Sequence, residues 1–183
     1  TMIKKILAAT VGLILLVAIV LTALSFMTPT AFGVEREVII NRPVTEVFSY
    51  VKLLKNQNEW GPWAKKDPSI KQETKGTDGE VGFVTSWESN NEEVGSGAQE
   101  IKKIEPNRRM ETELRFEKPF SSTGQSSITT EDVGDGKTKV KWGMSGSMPR
   151  PFNLLTLVMD FDKEVGKDFD EGLASLKSIL EKK

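Results

Sequence analysis

The chain has 183 residues, 25 Lys and Arg against 26 Asp and Glu, and neither Cys nor His. Without Cys there is no disulfide, no thiolate nucleophile, no Cys-ligated zinc and no Cys to carry a lipid. Without His the commonest general base is missing, and Ser-His-Asp triads and His-based zinc or non-haem iron sites are excluded. The net charge of −1 gives no reason to expect nucleic acid, and nothing in the composition calls for a metal or cofactor.

The mean hydropathy of −0.30 averages two unlike segments. After residues 1–5, with Lys4 and Lys5, the stretch 6–27 (Ile6 to Met27) carries no charge and is interrupted only by Thr10, Gly12, Thr22 and Ser25. As a helix it is about 33 Å long at ~1.5 Å per residue, enough for a bilayer core of roughly 30 Å. It has no polar face, so a buried core helix fits poorly. A signal peptide has a shorter apolar run, of about 7–15 residues, and a small-residue cleavage site. No Ala-x-Ala follows here, so an uncleaved single-pass transmembrane anchor is favoured. The lysines place the N-terminus in the cytoplasm and the remainder outside it, periplasmic or extracellular, although Arg36 and Arg42 count against that orientation. Residues 28–33 read as a short tether, and 34–183 as one slightly acidic domain without repeats.

Within the domain, Val34 to Ile40 reads as a strand. Pro43 opens a helix with Val44, Val47, Phe48 and Val51 on one face. A second short helix is expected over Leu53 to Glu59, broken by Trp60-Gly61-Pro62-Trp63. Strand-like runs follow: Ile70 to Lys75, then a run placing Val81, Phe83, Thr85 and Trp87 on one face, then Val94 to Glu105, where Gly95 and Gly97 suggest a bulge. Met110, Thr112, Leu114 and Phe116 alternate with charged residues, as in a half-buried antiparallel strand. After a turn at Lys118-Pro119, Ser121 to Val133 is polar on both faces. Gly134-Asp135-Gly136 signals a hairpin leading to Val140, Trp142 and Met144. From Leu154 to Leu180 apolar residues recur every three to four positions, predicting an amphipathic helix of roughly 25–30 residues. Gly166 and Gly172 within it suggest a kink or a close approach. The order predicts an α+β fold, a bent antiparallel sheet with a long C-terminal helix.

The order and motifs resemble the START-like (SRPBCC, helix-grip) superfamily, most closely its polyketide cyclase/dehydrase and lipid-transport branch. The carrying residues are Ile40-Asn41-Arg42-Pro43, Trp60-Gly61-Pro62-Trp63 ahead of Asp67-Pro68, Gly79-Glu80-Val81-Gly82, Thr138-Lys139-Val140-Lys141-Trp142, Gly166-Lys167-Asp168-Phe169 and Gly172-Leu173. The resemblance covers about residues 35–183. It implies a curved antiparallel sheet of seven strands wrapped on the C-terminal helix and a deep apolar cavity for lipids, sterols, polyketides or similar molecules. It does not imply catalysis.

The expected cavity candidates are Phe83, Trp87, Met110, Leu114, Trp142 and Met144 on the concave face, with Phe161, Val165 and Phe169 opposite. Trp60 and Trp63 read as a plug between the short helices and the sheet, as a pocket gate or as a membrane-facing wedge. Thr85 and Thr112 sit on otherwise apolar faces, where a buried hydroxyl needs a partner: a ligand, a water or a local carbonyl. Ser121 to Thr130, including Gln125 and Ser126, is an outer strand or a polar cavity wall, depending on register. Asp168, Asp170 and Glu171 read as a solvated face, and no acid falls clearly inward. Lys102-Lys103 and Arg108-Arg109 read as solvated charges or, near a bilayer, as contacts for anionic headgroups.

The favoured function is a membrane-anchored domain binding a hydrophobic small molecule or lipid. One alternative is a cyclase- or dehydratase-like enzyme, which needs a cavity carboxylate, or Lys, Arg or Tyr50, because His and Cys are absent. Another is a tethered interaction domain whose cavity is filled by side chains.

Overall fold

The alternation along residues 110–116 builds a strand that buries Met110 and Thr112 and sends Glu111, Glu113 and Arg115 to the other face. The computed structural model describes residues 2–118 and 121–182. In chain order its elements are α1 (Met2–Met27), β1 (Ala31–Ile40), α2 (Val44–Val51), a 3-10 turn (Leu54–Asn56), α3 (Gln57–Trp60), α4 (Trp63–Lys66), β2 (Lys71–Lys75), β3 (Val84–Glu88), β4 (Ser96–Glu105), β5 (Arg109–Lys118), β6 (Ser122–Gly134), β7 (Lys137–Ser147), a second 3-10 segment (Phe152–Leu157) and α5 (Phe161–Lys182). They form two compact units, one of Gly33–Gly146 with α5, the other of α1 and the residues up to Phe32 with Ser147–Asp160.

The larger unit is an α+β helix-grip fold. Its single seven-stranded sheet runs in the order β1-β7-β6-β5-β4-β3-β2, and β2 to β7 pair antiparallel as successive neighbours. The β6–β7 hairpin turns through Gly134, Asp135 and Gly136, all with positive φ (88°, 53° and 67°), which two glycines and an aspartate tolerate. The expected bulge in β4 is present, as register shifts at Ser96/Gly97 and at Ile101/Lys103. Asp78, in the β2–β3 turn, accepts hydrogen bonds from the Leu54 and Lys55 amides at 2.8 and 3.0 Å, capping the 3-10 turn.

Helix α5 buries Phe169, Leu173, Leu176 and Leu180, spaced three and four apart, against sheet residues that include Val34, Ile101, Met110, Ile128 and Val140. Gly166 and Gly172 leave α5 continuous. They instead permit close approaches. A Cβ at Gly166 would lie 2.0 Å from the Arg36 guanidinium, and one at Gly172 would lie 2.8 Å from the Trp142 ring. Arg36 grips the start of α5 through a bidentate pair with Asp162 at 2.9 and 3.0 Å.

In the smaller unit, α1 is exposed along its length apart from Ser25 and is long and apolar enough to cross a membrane. Its last turn is met by residues of the 147–160 segment. Asn153, fully buried, donates through Nδ2 to the Ser25 and Thr28 carbonyls at 2.8 and 2.9 Å and accepts from the Ser25 hydroxyl at 2.9 Å. Arg150 Nε donates to the same Ser25 carbonyl at 3.0 Å, and its guanidinium covers the Phe26 ring at 4.9 Å.

Several elements differ from the sequence expectations. The long helix begins at Phe161, not Leu154, and has 22 residues. A 3-10 turn and an α-helix space apolar residues almost alike, so the pattern through Leu154, Val158 and Phe161 conceals the break. Ala31 to Gly33 of the expected tether extend β1. The Leu53 to Glu59 helix is a 3-10 turn followed by α3, and Trp63 opens α4 instead of ending helical structure. β3 starts only at Val84, so Val81 stands exposed and Phe83 precedes the strand. The Lys118-Pro119 turn lies partly outside the described residues.

Candidate ligand cavity

Cross-strand register sorts the inward side chains into rungs. Ile104, Met110, Ile128 and Trp142 make one rung, and Ile101, Thr112, Ser126 and Met144 the next. Thr85, Gln99, Leu114 and Gly124 make a third, and Trp87, Gly97 and Phe116 a fourth. Side chains fill the first rung completely: Met110, Ile128 and Trp142 are each 3 % exposed or less. Toward the third and fourth rungs the filling fails, and a cavity of about 340 Å³ opens between the sheet, α3, α4 and α5. That volume falls in the range of roughly 300–1,000 Å³ typical of small-molecule sites.

Its walls are mainly apolar and aromatic. Trp87, Leu114, Phe116, Trp142 and Met144 come from the sheet, Val165 and Phe169 from α5, and Trp63 and Ala64 from α4. Trp142 stacks on Phe169 with ring centres 4.0 Å apart and planes 4° from parallel. Trp60 and Trp63 meet Trp142 edge-on at 4.8 and 5.5 Å, and Trp87 meets Phe116 edge-on at 6.0 Å. Such contacts rigidify one wall beyond what area burial alone provides.

Polar groups divide between the interior and the rim. Thr85, Gln99 and Ser126 line the cavity. Gln99 Nε2 donates to the Thr112 hydroxyl at 3.0 Å, and the Ser126 hydroxyl donates to the Gly143 carbonyl at 3.0 Å. Exposed lining residues, Asn58, Gln72, Glu92, Glu93 and Lys118, mark the mouth. Beside them Lys66 Nζ lies 2.8 Å from Asp168 Oδ2 and 3.6 Å from Glu93 Oε2. Burial pulls the Lys66 ammonium down, but Asp168 and Glu93 together outweigh it and hold it above its ordinary value.

Behind the mouth, Asp67 ties two loops together. It accepts from the Ser69 amide and hydroxyl at 2.9 and 2.6 Å and from the Ser89 hydroxyl. The Ser69 hydroxyl, the Ser89 hydroxyl and the Ser69 amide, in that order, hold its carboxyl below the usual range. Among the described residues no cluster of Asp and Glu has the geometry to hold a metal ion.

Of the candidates named from sequence, Trp63, Thr85, Trp87, Leu114, Trp142, Met144, Val165 and Phe169 line the cavity. Trp60, Phe83, Met110 and Thr112 do not; they are packed in the core at 3 % exposure or less. Met110 and Thr112 share the inward face of Leu114, but the position along the sheet decides whether that face is filled or hollow. Phe161 stands at the first position of α5, one turn ahead of Val165, and does not reach the wall. Gln125 is exposed, whereas Ser126 faces inward.

Asp168 corrects the expectation of a solvated face, since it is on the cavity wall and its side chain is only 21 % exposed. Val165, Asp168, Phe169 and Gly172 fall at i, i+3, i+4 and i+7, so helical angle carried the signal that charge concealed. Gln99 and Phe116 were also missed. Register finds Gln99, opposite Thr85, while Phe116 shares the inward alternation of Leu114. Tyr50 is not part of the cavity; its hydroxyl donates to Glu59 at 2.7 Å, and burial, then Glu59, push it well above its ordinary value. Lys102, Lys103, Arg108 and Arg109 pair with Glu100, Glu105 and Glu111.

A seven-stranded antiparallel sheet gripping one long helix, with a largely apolar hollow between them, defines a helix-grip ligand-cavity protein. The chain belongs to the polyketide cyclase / dehydrase and lipid transport family, whose profile matches residues 31–181. Among curated proteins none matches it. Among solved structures it is similar to a truncated norcoclaurine synthase from Thalictrum flavum, with 8 % identity and a TM-score of 0.61 over 84 % of this chain and 95 % of that one. It is also similar to Aha1 from Colwellia psychrerythraea, with 16 % identity and a TM-score of 0.54 over 80 % of this chain and 93 % of the other. A third similar structure is Ara h 8.0201, with 16 % identity and a TM-score of 0.52 over 81 % and 99 %. At these identities the likeness concerns the fold alone.

Proposed function

We propose that the domain binds a hydrophobic small molecule or lipid in this cavity and that α1 anchors it to a membrane. The observation that carries the binding reading is the cavity of about 340 Å³, walled by Trp87, Leu114, Phe116, Trp142, Met144 and Phe169. Burial of apolar ligand surface there is worth about 25 cal/mol per Å² before ordering costs. The unfilled volume argues against an interaction domain with a packed interior.

The length of α1 and its uncharged stretch 6–27 support the anchor. Four hydrogen bonds also join Asn153 and Arg150 to Ser25 and Thr28, and removal of α1 would sacrifice the three made to Ser25. Lys4 and Lys5 favour an N-terminus in the cytoplasm and the domain outside, periplasmic or extracellular.

Mass spectrometry of organic extracts from full-length protein, purified in native lipid discs, tests the binding reading, together with displacement of a fluorescent apolar probe. An apolar molecule enriched over bulk lipid and competing with the probe is expected. No enrichment, and no displacement by fatty acyl, isoprenoid or sterol competitors, overturns it.

A second reading, a cyclase- or dehydratase-like enzyme, draws on Asp168 in the wall. It requires the bound molecule to change mass or unsaturation on incubation with wild type but not with Asp168→Asn. Unchanged ligand in both removes it.

A further inference from the structure

We propose that residues 148–159 are a second membrane-contacting element, seated in the headgroup–acyl boundary beside the C-terminal end of α1. The proposal rests on α1 being a retained anchor and adds a second contact to it.

The depth follows from the attachment. A 26-residue helix is about 39 Å long at ~1.5 Å per residue, longer than a hydrocarbon core of roughly 30 Å, so its last turn leaves the core. The last carbonyls of any helix lack intrahelical partners. At that depth they would need water or headgroups, but the side chains of Asn153 and Arg150 satisfy the Ser25 carbonyl, and Asn153 that of Thr28. The Met148 amide donates to the Thr30 carbonyl at 2.8 Å, adding a backbone link. The segment is therefore pinned to the point where the helix leaves the hydrocarbon.

Its exposed chemistry suits that place. Leu155, Leu157, Val158 and Met159 are 41, 60, 81 and 46 % exposed. Water is a poor medium for so many neighbouring apolar side chains on one short segment. Arg150 is the only charged residue between Ser147 and Met159. Its guanidinium sits over Phe26, an arrangement suited to the level of lipid phosphates. Asp160 and Asp162 follow only after the apolar run ends. A cation with exposed apolar side chains and no acid is the composition of an interfacial segment.

The absence of native Cys makes the test direct. Val158→Cys, and separately Val17→Cys within α1, are labelled with an environment-sensitive fluorophore. The full-length protein is reconstituted in vesicles of phosphatidylethanolamine and phosphatidylglycerol. The label at 158 is expected to gain intensity several-fold over the detergent-free aqueous dye. It should also be quenched by lipids brominated near the headgroup more than by lipids brominated at the chain end, with the reverse order at position 17. Quenching of the 158 label by aqueous iodide alone, with position 17 still quenched by deep lipid, overturns this proposal and leaves the anchor standing. Iodide access at both positions removes the anchor as well. A 158 label shielded from iodide and from both lipids overturns the proposal in favour of a protein partner on the segment.

Discussion

Gly172 on α5 lies directly against the ring of Trp142, so that a Cβ at position 172 would come within 2.8 Å of it. The ring is stacked on Phe169 and met edge-on by Trp60 and Trp63, which hold it in place as part of the cavity wall. Gly172→Ala gains up to about 1 kcal/mol of helix propensity. Overpacking a rigid site costs about 1–3 kcal/mol. The expected net is a loss of about 1–2 kcal/mol in urea denaturation, with altered Trp fluorescence from a displaced wall. A gain in stability would show that α5 and β7 separate freely.

Leu114 occupies the middle of the hollow rung, beside Gln99 and Gly124. Leu114→Trp fills the cavity with an indole. Apolar-probe binding is expected to fall at least about tenfold while stability stays within about 1.5 kcal/mol of wild type, because the added volume enters space already empty. Unchanged probe affinity in a folded variant would locate binding elsewhere.

Asp67 couples pH to the loops at the mouth. Its carboxyl is held low by the Ser69 and Ser89 hydroxyls and the Ser69 amide. A depressed folded value stabilises the protein above the unfolded value of about 4, and this contribution disappears as pH falls through the folded value. Asp67→Asn is expected to destabilise at about pH 7 and to cost progressively less toward about pH 2. Paired urea titrations at the two ends measure this; a pH-independent difference would mean that another group carries the dependence.

Asn153 is buried, and three hydrogen bonds join its side chain to the end of α1. Asn153→Leu keeps the branched side-chain shape and removes them. At about 1 kcal/mol per net bond, with water recovering part, residues 154–159 should open roughly tenfold more often. Chymotryptic cleavage within the Leu154 to Met159 stretch in proteoliposomes is expected to accelerate accordingly, while α1 stays inserted. Equal cleavage rates would show that the segment is held by other contacts.

Much of this architecture was legible along the chain. Met110, Thr112, Leu114 and Phe116 announce their strand and its inner face because a two-residue period admits one burial pattern. Gly134-Asp135-Gly136 announces its hairpin, but the register shift between Asp132 and Gly134 is not written in the turn, so the pairing of Ser126 with Met144 that turns Ser126 inward emerges only in the folded sheet. The α5 face from Phe169 to Leu180 follows from helical period alone. Asp168 shares the helical angle of Val165 and Phe169, and its charge masks that position on the inward face.

The amino-acid sequence by itself determined the chemical vocabulary of this protein: no thiol or imidazole chemistry, one uncharged span, and strand and helix faces set by local periodicity. Tertiary structure alone decided where those faces meet and where they stand apart. Met110 and Leu114 share one strand and one face, yet the first is sealed in the core and the second borders the cavity. The distance between sheet and helix at each rung depends on the bulges in β4, on Gly172 against Trp142 and on Arg36 over Gly166. Residues 154–159 likewise keep a helical apolar rhythm, but Asn153 joins their segment to the end of α1 through contacts about 125 residues away in sequence, a distance no local pattern encodes.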